Sequence, residues 1–287
     1  MSREAGQDHI SKRTVLFSLP GTDDVQVRRD VEYRATDAGA LTMDIYQPPR
    51  RRRGALSPAV VIVAGFPDPG FETRVGCKFK EMGSTVSWAR LMAASGLAAI
   101  AYTNREPAAD VHALLGYVRL HADELGIDAD GIGLWASSGN VPVALSVLMS
   151  EGVGHVRCAA LCYGYTLDAV GSDAVATASK AWGFANPCAG KSVADLPPET
   201  PLFIARAGRD EMPRLNETLD RFLSEALAHN LPITFVNHPT APHAFDLFDD
   251  GETTREIIRQ ILAFMQFHLL KTGDGGTACP GFSGGTQ

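Results

Sequence analysis

Ser138 has the surroundings best suited to covalent chemistry. It lies in Ala136-Ser137-Ser138-Gly139-Asn140, between the apolar run Ile132-Gly133-Leu134-Trp135 and a helix-like stretch that starts near Val141. A serine between small residues, on a sharp turn from a buried strand into a helix, has the layout of a nucleophile elbow. Such a turn strains the serine backbone, so the residues two before and two after it must be small. With Ser138 as nucleophile those positions are Ala136 and Asn140. With Ser137 they are Trp135 and Gly139, and an indole would have to fit a crowded strand–helix crossing. Ser138 is therefore the expected nucleophile. Against G-x-S-x-G, alanine replaces the first glycine and asparagine the second. Taken alone, the segment also fits an ordinary strand–helix loop.

A serine nucleophile needs a base to take its proton and an acid to orient that base. Behind an elbow they follow in the order Ser, Asp/Glu, His, each just after a strand. Pro201 to Gly208 reads as a buried strand that ends in Gly208-Arg209-Asp210-Glu211. A helical pattern with Leu215, Leu219, Phe222 and Ala226 on one face comes next. Leu231 to Val236 reads as a further strand, followed by the loop His238-Pro239-Thr240-Ala241-Pro242-His243-Ala244-Phe245-Asp246. Asp210 lies 72 residues after Ser138, and His243 lies 33 residues after Asp210. Those gaps hold two or three strand–helix units and then one. Glu211 and Asp168 are rival acids. His238 is a rival base, set at the strand end rather than well into the loop.

With these pieces in order, the chain resembles the α/β-hydrolases of the esterase and dienelactone-hydrolase-like kind. The resemblance rests on Val31-Glu32-Tyr33 with Leu41 to Pro48, on Val60-Val61-Ile62-Val63-Ala64-Gly65-Phe66, on the elbow, on Ala207-Gly208-Arg209-Asp210 and on Pro242-His243-Ala244-Phe245-Asp246. It spans residues 25 to 270, with the specificity in the order and spacing. Two departures stand out: the elbow lacks both glycines, and Gly65-Phe66-Pro67-Asp68-Pro69-Gly70 replaces a His-Gly-Gly-Gly loop. Dienelactone hydrolases carry cysteine at the elbow, where this chain has serine.

The resemblance implies a serine hydrolase that cleaves carboxylic esters, with Ser138, His243 and Asp210 as nucleophile, base and acid. The backbone N–H groups of Phe66 and Gly139 would hold the oxyanion. Pro67 and Pro69 supply no N–H, so only Phe66, Asp68 and the glycines of that loop can donate, and Phe66 lies nearest the strand. The expected partner is a small-molecule ester, and no cofactor is expected. A thioesterase, amidase or peptidase would use the same three residues. A binding or scaffold protein on the same fold is the non-enzymatic alternative.

Composition bounds the classes. The 287 residues are 45% hydrophobic with net charge −7. That length allows one large α/β domain or two small ones, and the apolar content is sufficient for a sizeable core. The acidic balance argues against nucleic acid or an anionic membrane as partner. Arg50-Arg51-Arg52-Arg53 is the one basic cluster and reads as a solvated loop after Pro48-Pro49. The N-terminus lacks the apolar stretch of a secretory signal, and no apolar run approaches the roughly 20 residues that span a bilayer. A cytoplasmic location is therefore expected; a homodimer is left open. The five cysteines have irregular spacing, which suggests no disulfide framework. Cys158 and Cys162, on one face of a strand-like run, read as buried thiols. Neither a structural-zinc spacing nor a phosphate-binding glycine motif is present.

Around these residues, strands and helices alternate. Residues 25 to 48 read as antiparallel strands. Val60 to Ala64 reads as a buried strand of the parallel type, and Leu97 to Tyr102 and Val156 to Tyr163 read as further strands. Val86 to Ala94 reads as a helix ended by Gly96. Pro107 can open the next, whose apolar face is Val111, Leu114, Leu115 and Val118. Thr253 with Glu256 has the capping-box signature and would open a final helix carrying Ile257, Ile258, Ile261, Leu262 and Met265. The expected fold class is α/β: a mostly parallel sheet with helices on both faces. Residues 1–24 are expected as an N-terminal extension, 25–271 as the domain and 272–287 as a disordered tail. Residues 164–200 lack clear periodicity and read as a small cap-like insertion. Its Trp182 and Phe184 would either line a substrate pocket or form the core of a covering segment.

Overall fold

The computed structural model describes residues 9–49, 54–150 and 156–270. The basic run at 50–53, the tail at 272–287 and the first eight residues of the N-terminal extension lie outside them.

The described residues build one eight-stranded sheet. Its strands are β1 (Gln26–Arg34), β2 (Leu41–Gln47), β3 (Ser57–Ile62), β4 (Ala98–Tyr102), β5 (Ile127–Ser137), β6 (Val156–Cys162), β7 (Leu202–Ala207) and β8 (Ile233–His238). They lie in the order β1-β2-β4-β3-β5-β6-β7-β8. β1 and β2 are antiparallel, β2 meets β4 antiparallel, and all other pairs are parallel. Around the sheet pack α1 (Asp68–Val75), α2 (Gly83–Ala94), α3 (Pro107–Leu120), α4 (Ala122–Leu125), α5 (Val141–Leu148), α6 (Ala174–Trp182), α7 (Leu215–Ala228), α8 (Phe245–Phe248) and α9 (Glu252–Leu269). Because β3 is followed by β4 on one side and neighbours β5 on the other, the chain reverses direction there. Such a reversal leaves a crevice at the carboxyl ends of the strands, where ligands bind in open α/β sheets.

The central strands are apolar because helices cover both faces. Every residue of β4 is buried, as are Ala59 to Ala64 and Ile132 to Ala136. The edge strand β8 is half exposed, with Phe235 45% accessible. Cys158 and Cys162 are buried within β6. In α3 the buried face is Val111, Leu114, Leu115 and Val118, and Pro107 stands in the first turn, where its missing N–H costs no helix bond. In α2, Trp88 is 1% exposed and its ring centroid lies 4.8 Å from that of Trp135. Burying a large apolar side chain contributes about 1.5–3 kcal/mol.

Four local expectations are corrected. The capping box at Thr253 and Glu256 does not form: α9 starts at Glu252 behind Gly251, without a side-chain cap. Asp249 instead accepts from the Gly251 N–H at 2.9 Å and the Thr254 hydroxyl at 3.1 Å, and Glu256 bonds Arg259 and Gln260. β8 starts at Ile233 rather than Leu231, since Pro232 has no N–H for the ladder. The loop after β3 is shorter than Gly65 to Gly70, because α1 already begins at Asp68 with Pro69 in its first turn. Finally, residues 174–182 form α6, whose Ala, Ser and Thr content hides an apolar stripe limited to Ala174, Val175 and Ala178.

Candidate active site

Ser138 occupies a one-turn helix, Ser138–Asn140, between β5 and α5. Its φ is +54°, in the left-handed region that costs a non-glycine residue roughly 1–2 kcal/mol. Ser137 is extended, with φ −132° and ψ 153°. The strain thus falls on the second serine, and Ser138 is half-buried at the rim.

Asp210 and His243 arrive from the next two connections. β7 and β8 run parallel in register, with Ala207 beside His238. Asp210 follows three residues past β7 and His243 five past β8. Ser138 Oγ lies 2.9 Å from His243 Nε2, and His243 Nδ1 lies 2.6 Å from Asp210 Oδ2. A carboxylate only accepts, so Nδ1 carries the ring hydrogen and Nε2 is left as acceptor for the Ser138 hydroxyl. The Asp210 side chain is fully shielded from solvent, and its Oδ1 accepts from the Met212 N–H at 2.9 Å. The His243 side chain keeps 26% exposure.

The rivals lie elsewhere or are engaged. Asp168 accepts from the N–H groups of Val175 at 2.8 Å and Ala176 at 3.0 Å, capping the start of α6. Glu211 is exposed. His238 is buried, with Nε2 2.9 Å from Asp249 Oδ2, close enough for an ion pair but off the angle of a hydrogen bond.

The chain after β3 crosses directly over the elbow. A Cβ on Gly65 would lie 2.5 Å from Gly139 O and 2.6 Å from Asn140 Cα, so only glycine lets the two backbones touch. Most backbone polar groups here have partners. Gly65 N–H donates to Asn140 Oδ1 at 2.7 Å, and Gly65 O accepts from Ala185 N–H at 2.8 Å. Phe66 O accepts from Asn104 Nδ2 at 3.1 Å, and Asp68 N–H donates to Asn104 O at 3.1 Å. Among the described residues the Phe66 N–H has no hydrogen-bond acceptor. Gly139 is second in its one-turn helix, where an N–H has no acceptor within the helix.

Two apolar cavities reach Ser138. One, about 250 Å³, holds both Ser138 and His243 and is walled by Phe71, Val75, Phe79, Met82 and Leu247. The other, about 220 Å³, lies beside Gly139 and is walled by Tyr165, Trp182, Phe184, Met212 and Arg74. Phe66 lines both. Phe184 is 4% exposed and stacks on Tyr165 at 5.5 Å; Trp182 is 44% exposed, and its carbonyl accepts from the Arg74 guanidinium. Burial pushes the Tyr165 hydroxyl up to about 12.

A polar cluster centred on Asp246 lies beside His243. Asp246 is buried and accepts from Trp88 Nε1 and from the Tyr163 hydroxyl, both at 2.7 Å. Burial holds its carboxyl above the ordinary range, against the pull of those donors. The Tyr163 ring stands edge-on to His243 at 5.2 Å. No local pattern signals the bonds of Asn140, Asn104 and Asp246, because their partners lie 75, 38 and up to 158 residues away. Asn140 and Asp246 stand in the elbow and in the run from Pro242 to Asp246, but neither run encodes their bonds.

Among the described residues no group of three or more His, Cys, Asp or Glu is arranged to hold a metal, and no helix is long and apolar enough to cross a membrane. No family model matches the chain, and no curated protein sequence matches it. Its backbone does match solved structures. The native esterase 2 of the planctomycete Thermogutta terrifontis aligns over 89% of this chain and 97% of its own, with TM-score 0.61 and 19% identity. EstE1, a thermostable carboxylesterase from a metagenomic library, aligns over 85% and 89%, with TM-score 0.62 and 17% identity. MGS-M1, an α/β hydrolase from a deep-sea metagenome of the Medee basin, aligns over 85% and 98%, with TM-score 0.61 and 15% identity. The chain therefore has the α/β-hydrolase fold.

Proposed function

We propose that this protein is a serine hydrolase that cleaves carboxylic esters through an acyl-enzyme. The observation that carries the reading is the unbroken chain from Ser138 Oγ through His243 to a buried Asp210 carboxylate, at 2.9 and 2.6 Å. His243 Nε2 takes the hydroxyl proton as Oγ attacks the ester carbonyl carbon. The N–H groups of Phe66 and Gly139 hold the oxyanion of the tetrahedral intermediate. Losing one such donor costs about 2.7–4 kcal/mol of barrier. The intermediate collapses, the C–O bond to the alcohol breaks, and the imidazolium returns its proton to the leaving alkoxide. A water then repeats the sequence on the acyl-enzyme and releases the acid. Asp210 keeps the ring in the right tautomer and pairs with its cation.

Geometry suggests which half of the ester goes where. A leaving oxygen must reach His243, so the alcohol belongs in the 250 Å³ cavity, which contains that residue. The acyl group then belongs in the 220 Å³ cavity beside Gly139, against Trp182 and Phe184. Few charges line either cavity, which favours apolar substituents. The Thermogutta terrifontis esterase has been captured phosphorylated by paraoxon, chemistry that a fluorophosphonate probe would repeat here. The test is probe labelling together with a panel of p-nitrophenyl esters of rising chain length. Wild type should label and turn over. Ser138→Ala should lose both, and Ser137→Ala should keep both. Labelling at Ser137, or none at all, would overturn the reading.

A further inference from the structure

The two departures of this chain from the hydrolase pattern meet in one side chain. Asn140 stands in place of the second elbow glycine, and it binds the loop that replaces the glycine-rich one. Asn140 is 4% exposed. Its Oδ1 accepts from Gly65 N–H at 2.7 Å and its Nδ2 donates to Ser137 O at 2.9 Å. A single amide thus ties the residue before Phe66 to the residue before Ser138.

Gly65 sits directly before the peptide unit that carries the Phe66 N–H. Glycine is the residue least able to fix its own φ and ψ, and here it is required because a Cβ would strike the elbow backbone. Two bonds remove that freedom. Asn140 holds the peptide before Gly65 by its N–H, and Ala185 holds the peptide after it by its C=O. In a trans peptide the N–H points opposite to the C=O. With Gly65 O turned to Ala185, the Phe66 N–H faces the other way, and it has no acceptor among the described residues. Glycine at position 140 would leave that first peptide without its polar partner.

We propose that Asn140 is a positioning residue for the oxyanion site: its amide locks Gly65 so that the Phe66 N–H converges with that of Gly139. The proposal rests on the serine-hydrolase reading. Asn140 touches no reacting atom and acts through Phe66. A misplaced donor weakens the transition state more than the ground state, and a shift of about 1 Å in a catalytic group can cost on the order of 10²-fold.

The test compares wild type with Asn140→Ala and Asn140→Gly on p-nitrophenyl butyrate. It also measures inhibition by a trifluoromethyl ketone of matching acyl length, which forms the tetrahedral adduct. Both variants should keep the wild-type circular dichroism. Turnover should fall about 10- to 100-fold with KM within about threefold, and the ketone's inhibition constant should rise by the same factor as kcat falls. The proposal is overturned by unchanged kcat in either folded variant, by a loss confined to KM, or by ketone binding that stays tight. It is also overturned if both variants fail to fold, since Asn140 would then hold the whole elbow rather than one donor. A wild-type protein that neither labels nor turns over would defeat the serine-hydrolase reading itself, a result distinct from all of these.

Discussion

Asp210→Asn should remove most of the turnover while keeping the fold. The carboxylate uses Oδ1 for the Met212 N–H at 2.9 Å and Oδ2 for His243 Nδ1 at 2.6 Å. An asparagine amide has one oxygen for these two places. If it keeps the Met212 bond, the NH2 group faces Nδ1, which can then only accept. The ring hydrogen moves to Nε2 and points at Ser138 Oγ, and the base is blocked. If the amide turns over, its NH2 meets the Met212 N–H at a site whose side chain is fully buried. An unpaired buried donor costs about 1–3 kcal/mol, so the blocked form outweighs the competent one by roughly 5- to 150-fold. The competent minority also lacks a carboxylate for the imidazolium, a charge-assisted bond worth about 1.5–3 kcal/mol. The expected loss in kcat at neutral pH is about 10²- to 10⁴-fold. KM should stay within about threefold, since Asp210 lines neither cavity. Initial rates on p-nitrophenyl butyrate, paired with ¹⁵N spectra of the imidazole, read both halves of the argument. A loss under tenfold, or an Nδ1-protonated ring in the variant, would refute it and return Glu211 or Asp168 to consideration.

In Gly139→Ala, the new Cβ would lie 2.7 Å from Phe184 Cδ1 and 2.9 Å from Phe66 Cζ, so the rings beside Ser138 must shift. We expect overpacking of about 1–3 kcal/mol in thermal melts and a kcat/KM loss of at least about tenfold; unchanged kinetics would mean that the rings give way freely. Trp182→Ala, at a half-exposed residue, should leave the melting temperature nearly unchanged. It should flatten the preference among acyl chain lengths, and an unaltered profile would remove Trp182 from the acyl wall. Asp246→Asn tests the buried cluster through pH. Its carboxyl is held above the ordinary range in the fold, so above that ordinary value the unfolded chain gives up this proton first. Stability should therefore fall as pH rises from there to the raised value. The variant should lack this slope in melting temperature against pH, and parallel curves for the two proteins would count against the assignment.

What could be read in the chain follows from how local each signal is. Ser138 and Asp210 each come just after a buried apolar run and His243 after a half-exposed strand-like one, so strand reading alone puts all three at the carboxyl ends of parallel strands. The helices α3, α7 and α9 declare themselves by apolar faces at helical spacing. α6 does not, because its small residues bury little. The capping signature at Thr253 is not used because a better-placed carboxylate, Asp249, lies just outside the helix. Asn140, Asn104 and Asp246 join elements far apart in the chain, and no pattern within any one segment encodes such bonds.

The position of His243 bears on when the protein can first act. The residue lies beyond β8, the edge strand and the last of the described strands in chain order, on a connection that leads into α8 and then α9, which ends at Leu269. The elbow and the loop over it are translated more than a hundred residues earlier. Parallel strand pairing needs distant segments to meet and is slow to form. On the proposed reading, a ribosome-bound chain would carry its nucleophile without its base until the segment beyond β8 has emerged, and hydrolytic activity would report that this late segment has docked.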